Sequence, residues 1–383
     1  MGSQRSSAIE IVPVASQAEL QQFIRLPWQL YRSDPNWVAP LLLDEKHRFD
    51  PAHNPFYQHA QVQLFLARRN SKAVGRISAH IDHNHNEYHH EKTAFFGFFE
   101  TIPDESVART LLAAASDWAG ARDMKILRGP FNFNTNGESG LLIDGFSMPC
   151  VMMPYNPRNY AQLIEAQGFA KAKDLLAYLI HIDKEFGMRS EKLIVRLRSL
   201  AERAKRRGFT VRNVNLNDFK AEVARLREIY NAAWERNWGF IPMTEAEFTT
   251  QAKDLKQIVV PSLAKIVELG SEPVGFGLVL PDVYQILKPL KGRLMPFGLF
   301  RLLWGRRRVD GLRFITLGVK RAYRLRGVDA LLYLGLMEET LALKKYRYCE
   351  LSWLLEDNHP IINACEAVGG QRYKTYRIYE KQL

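Results

Sequence analysis

Cysteine is nearly absent: Cys150, Cys349 and Cys365 are the three in the chain, far apart and without CxxC spacing. That argues against a disulfide framework and a cysteine zinc site, and fits a reducing compartment. No apolar run reaches the roughly 18 residues a membrane-spanning helix needs. The opening residues, MGSQRSSAIEIVPV, lack the basic-then-apolar order of a signal peptide. The expected location is the cytoplasm. Acidic residues are missing from one long stretch, Val283–Val309.

What is present is ordinary for a folded chain, with hydrophobic residues at 46% and charged residues at 25%. A length of 383 residues exceeds one typical core and suits two domains. The net charge of +12 attracts anions, whether nucleic acid, lipid head groups or cofactor phosphates.

The first half reads as mixed α/β. Strands are expected at Val62–Ala67, Val74–Ile81 and Phe95–Glu100, then a helix at Ser106–Arg122 and an Asn/Gly-rich stretch, Arg128–Gly145. A helix ending at Ala166 and a strand at Leu175–Ile182 follow. With a boundary near Asp183–Arg189, the domains are 1–185 and 186–383. The second half repeats the order: a basic helix, Ser190–Arg207, a strand, a helix to Trp234, a strand pair, a strand at Phe314–Val319, a helix from Val328, and strands at Cys349–Leu355 and Arg372–Glu380.

The informative segment is Phe314–Leu332, FITLGVKRAYRLRGVDALL. A strand ends, a basic loop follows and a glycine opens a helix. Helix starts carry unpaired N–H groups and a positive dipole end, so they favour phosphates. Lys320, Arg324 and Arg326 add full charges, and Gly327 permits close approach.

Arg324-Leu325-Arg326-Gly327-Val328-Asp329 resembles the acyl-CoA-binding motif of the GNAT superfamily, with Asp329 where a small residue is usual. The strand at Glu350–Trp353, the turn at Asp357-Asn358, the helix stop at Gly369-Gly370 and the closing Tyr376-Arg377-Ile378-Tyr379 are similar to the rest of that fold. The resemblance implies that Leu317, Gly318, Val319, Arg324, Arg326, Gly327, Val328 and Asn358 bind acyl-CoA. It also implies an acid and a base, but Arg313 and Cys365 stand where such residues are usual. Glu235, Glu350 and Glu356 remain as base candidates, Tyr376 or Tyr379 as acid; spacing does not choose among them.

Longer motifs, among them Phe95-Phe96-Gly97-Phe98-Phe99-Glu100, Gly129–Asn134, Met153–Pro157 and Asn237–Pro242, resemble the bacterial ceramide synthase-like family of tandem GNAT domains. That implies fatty acyl transfer from acyl-CoA to the amine of a sphingoid base or its 3-keto form, with the N-terminal domain lacking the cofactor. The open alternatives are another amine acceptor, such as an amino sugar or aminoacyl group, or an inactive acyl-CoA- or lipid-binding protein. Asn134, Tyr155, Asn156, Trp234 and Trp238 are candidates for the acceptor; Asn134 and Asn156 also fit turn and helix-start chemistry. The stretch 283–309 interleaves Lys and Arg with Leu, Phe and Trp, which suits either an anionic membrane surface or a helical lid. Nucleic acid finds no motif here. The run His80–His90 matches no common zinc spacing and reads as a strand end with a solvated loop.

Overall fold

The computed structural model describes residues 8–294 and 304–383. Part of the basic apolar stretch, residues 295–303, lies outside them. The chain forms two compact units. One holds Met1–Leu175, Leu287–Leu299 and Lys374–Leu383; the other holds Leu176–Ile286 and Phe300–Tyr373. The C-terminal piece therefore folds with the first unit, although its motif order continues the second.

Strands and helices are labelled in chain order: β1 Glu10–Pro13, β2 Ala60–Arg69, β3 Lys72–Asp82, β4 Thr93–Thr101, α1 Glu105–Gly120, β5 Ile126–Gly129, β6 Ala170–His181, α2 Phe186–Arg206, β7 Phe209–Asn213 and α3 Phe219–Ala233. They continue with β8 Ala264–Leu269, β9 Glu272–Pro281, β10 Gly311–Val319, α4 Val328–Ala342, β11 Tyr348–Leu355, α5 His359–Ala367 and β12 Gln371–Gln382.

In the first unit the sheet runs β1-β2-β3-β4-β5-β12. The step from β4 to β5 is parallel, bridged by α1 as a crossover. Apolar residues at three- and four-residue steps put Val107, Ala108, Leu111, Leu112, Ala115 and Ala119 of α1 in the core with Ile77 and Phe96. The end of β12 pairs with β5, Tyr379 lying opposite Gly129.

In the second unit β7, β8, β9 and β10 are antiparallel neighbours, and β10 to β11 is parallel, bridged by α4. Helix α4 is apolar on nearly every side because both sides are covered: Val274 and Val267 of the sheet lie in one cluster with it, and so do Leu197, Ala201 and Ala204 of α2. Each fully buried Leu or Val there stabilises the fold by about 1.5–3 kcal/mol. The charged face of α2 is left to solvent.

Candidate active site

Strands β10 and β11 pair only over Gly311–Phe314 against Tyr348–Leu351. Past Phe314, residues Thr316–Val319 keep their bonds to β9, and among the described residues no strand pairs with them on the other side. The two parallel strands therefore splay from Phe314 onward. That leaves one edge of Leu317, Gly318 and Val319 without a neighbouring strand among the described residues, and an extended ligand can add to such an edge.

One face of this edge is shaped by Trp234, which follows α3. Its indole stacks on Tyr230 with centroids 4.8 Å apart and lies against Gly318, where any added Cβ would sit 2.1 Å from the ring. Only glycine allows that approach. Trp238 is half-buried in the loop that follows, a loop pinned where Asn231 Oδ1 accepts from the Met243 N–H at 3.1 Å.

The edge leads into the basic loop. Gly327 has φ +88°, starts α4, and receives no side-chain cap; its missing Cβ would lie 2.8 Å from the Leu200 carbonyl oxygen. An uncapped helix start keeps its N–H groups and dipole for an anion. Arg324 is committed to structure, donating to the carbonyls of Val319 and Ala233 and so fixing the loop. Lys320 is paired with Glu228 and Glu272. Arg326 is exposed, its guanidinium 5.7 Å from the Tyr323 ring, and is a loop cation suited to meet a phosphate. Val328 is buried behind it. Asn358 begins α5 without its side chain capping the helix.

At the point of the splay sits a buried polar network. Arg313 and Glu350 are register partners. Arg313 Nε donates to Ser352 Oγ at 2.8 Å, and Ser352 and Tyr373 hydroxyls donate to the two Glu350 oxygens. Glu350 is completely buried. The sequence hints at it only through the unusual Arg313, whose charge needs a carboxylate when it is buried.

The catalytic candidates are dispersed. Glu235 is exposed directly after Trp234, and Glu356 is half-buried in the turn after β11. Tyr376 belongs to the first unit, fully buried beside Gly140. The acceptor candidates Asn134, Tyr155 and Asn156 lie in the first unit too. Asn134 Oδ1 accepts from the Asn136 N–H at 3.0 Å, which is turn chemistry. Asn156 accepts from Leu142 N–H at 2.7 Å and donates back to the Leu142 carbonyl at 3.0 Å. Tyr155 donates to Asp34 at 2.8 Å; burial and that carboxylate push its hydroxyl up to about 12.

The histidine run is not a solvated loop. After β3 it forms a short helix, His83–His89, and both His80 and His85 are buried. His80 Nε2 donates to the Phe133 carbonyl at 2.6 Å, and burial pushes its imidazole down to about 4. Strand alternation turns His80 inward, which polarity alone conceals. Among the described residues no group of three His, Cys, Asp or Glu is placed to hold a metal. Nor is any helix long and apolar enough to cross a membrane.

Helix α4 also walls a cavity of about 290 Å³ within the second unit, floored by Phe314 and Leu351, the last pair before the splay. Cys349 and Cys365 line it, and burial pushes both thiols up to about 12. At neutral pH they are uncharged wall, not nucleophiles.

Two successive units, each with parallel strands that splay, define a tandem GNAT fold. The tandem GNAT protein from the clavulanic acid biosynthesis pathway superposes with a TM-score of 0.56 at 14% identity, over 98% of each chain. A GCN5-related N-acetyltransferase from Anabaena variabilis ATCC 29413 gives 0.53 at 10% identity, over 98% of this chain and 72% of its own. No family model matches. In sequence, the bacterial ceramide synthase of Caulobacter vibrioides (strain NA1000 / CB15N) is 38% identical over 384 residues, 98% of each chain. Protein YghO of Escherichia coli (strain K12) is 38% identical over 373 residues, 95% of this chain and 93% of its own. The chain belongs to the bacterial ceramide synthase family.

Proposed function

We propose that this protein moves a fatty acyl group from acyl-CoA to the amine of a sphingoid base, or of its 3-keto form, making a ceramide-type amide. The observation that carries the reading is the splay of β10 and β11, whose open edge leads to an uncapped, glycine-started helix with an outward-facing Arg326. The diphosphate rests at the start of α4. The pantetheine arm follows Leu317–Val319, and a backbone N–H on this edge polarises the thioester carbonyl. The amine attacks from the Trp234 side. A C–N bond forms, the C–S bond breaks, and the sulfur leaves with a proton.

For the base we favour Glu235, because it follows the indole that rests on Gly318; Glu356, at the end of the other splayed strand, is the alternative. Trp304 is 83% exposed next to Arg306, Arg307 and Arg308, and this pairing of an apolar ring with cations supports work at the cytoplasmic face of an anionic membrane.

The test is thiol release from palmitoyl-CoA on adding sphinganine, with the product weighed by mass spectrometry. An N-palmitoyl product supports the proposal. Release only with other amines moves the acceptor, and donor binding without release leaves a lipid-binding protein.

A further inference from the structure

We infer that the 290 Å³ cavity of the second unit houses the tail of the donor's fatty acyl group and sets its length. This rests on the acyl transfer proposed above. Three features point to the donor's chain as the occupant. The cavity's floor, Phe314 and Leu351, is the last strand pair before the splay where the thioester lies. The cavity then follows α4 from Asp329, two residues past the phosphate-binding glycine, to Leu341, a run of about 18 Å at the helical rise. Its walls are Leu193 and Leu197 of α2, Tyr333 and Met337 of α4, and Ala364 of α5, which offer hydrocarbon contact and almost nothing polar.

A methylene takes up roughly the 30 Å³ of a water molecule in a condensed phase, so the space holds on the order of ten such groups. That is far more room than an acetyl group fills and fits the distal part of a long chain. The neutral Cys349 and Cys365 thiols add soft apolar surface without a competing acyl acceptor.

Each methylene moved from water into such a site tightens binding by about fourfold at the limit of full burial. The experiment measures binding of octanoyl-, lauroyl- and palmitoyl-CoA by calorimetry without acceptor, then turnover of the same series with sphinganine. Wild-type protein is expected to bind palmitoyl-CoA at least tenfold more tightly than octanoyl-CoA. Ala364→Phe on α5 and Met337→Trp on α4, filling the space from two walls, should each cut that ratio at least tenfold; thermal melting checks that each variant is folded. An unchanged ratio in both folded variants overturns the inference. So does a variant that keeps the donor ratio but loses discrimination among amines of different chain length, which assigns the cavity to the acceptor's tail. If the binding ratio behaves as expected and no amine releases thiol, the tail site stands and the transfer reading falls.

Discussion

The two units build the same splay and finish it in opposite ways. In the first, β4 and β5 pair only over Thr93–Phe95 against Ile126–Arg128, as β10 and β11 do over one short stretch. There the gap is closed by the chain itself. The Phe98 N–H donates to Asn132 Oδ1 at 2.8 Å, and the Phe131 carbonyl oxygen would lie 1.8 Å from a Cβ on Gly97. The helix after that strand begins with Asp104 as its cap, its carboxylate accepting from the Ser106 N–H at 2.9 Å, which satisfies a helix-start N–H and repels phosphate. The second unit has a glycine there instead of an aspartate cap, an exposed arginine, and a cavity. The fold supplies a strand edge whose parallel neighbour has splayed away; what occupies that edge decides whether the unit is scaffold or site.

Side chains added to the two close-approach glycines separate these roles, and give the largest effects. Gly318→Leu must displace the Trp234 ring from the donor's edge, so thiol release is expected to fall at least about 100-fold, the scale of a lost oxyanion donor, in protein that still melts cooperatively. Gly97→Ala pushes instead on the Phe131 backbone. It should lower stability by about 3 kcal/mol or more, read as a shifted urea midpoint, while the folded fraction keeps its affinity for acyl-CoA. Donor affinity lost with Gly97 and kept with Gly318 would reverse the comparison.

A smaller effect tests the two helix starts by charge. Arg326→Glu is expected to raise the acyl-CoA KM about tenfold, less at high salt, because an exposed phosphate contact is screened. Glu105→Lys, in the first turn of α1 in the first unit, should leave KM where it was and cost under about 1 kcal/mol of stability. Glu235→Gln against Glu356→Gln then divides the base candidates. The true base loses the rising limb of its pH–rate profile, and the other changes the rate less than about threefold.

Much of the second unit is legible in the sequence alone. A strand, a basic loop, a glycine and an apolar helix sit in one local run, Phe314–Leu332, and local runs are what spacing reports. The helix from Val328 betrays its double-sided burial by lacking a polar face. Pairings across distant sequence are illegible. Nothing near Tyr376 says that its strand lies against Ile126–Gly129, and so motif order groups the candidate acid with Glu235 and Glu356. The filled splay of the first unit is hidden for a related reason: Asn132 sits in an Asn/Gly-rich run, and only its distant hydrogen bond to the Phe98 N–H shows it serving as a substitute strand edge. A cavity is harder still. Leu193, Met337 and Ala364 look like core residues, and the space among them is missing volume, which no residue type announces.

The last difference concerns protons. Near the end of the first unit's splayed strand lies Glu100, where the matching strand of the second unit ends in Gly318 and Val319. Its carboxylate accepts from the Tyr31 and Tyr160 hydroxyls at 2.7 and 2.9 Å, yet burial dominates and pushes it up to about 7 from 4.5. The folded protein therefore keeps a proton that the unfolded chain gives up at lower pH. Stability from this group must fall as pH rises from about 4.5 to about 7, and level off above, the whole change amounting to about 3 kcal/mol at most. Glu100→Gln removes the titration. Urea midpoints taken at steps from pH 5 to 8 should decline in the wild type and run flatter in the variant. Parallel declines in the two proteins would place the proton elsewhere and leave the filled splay of the first unit without a proton-holding acid at its end.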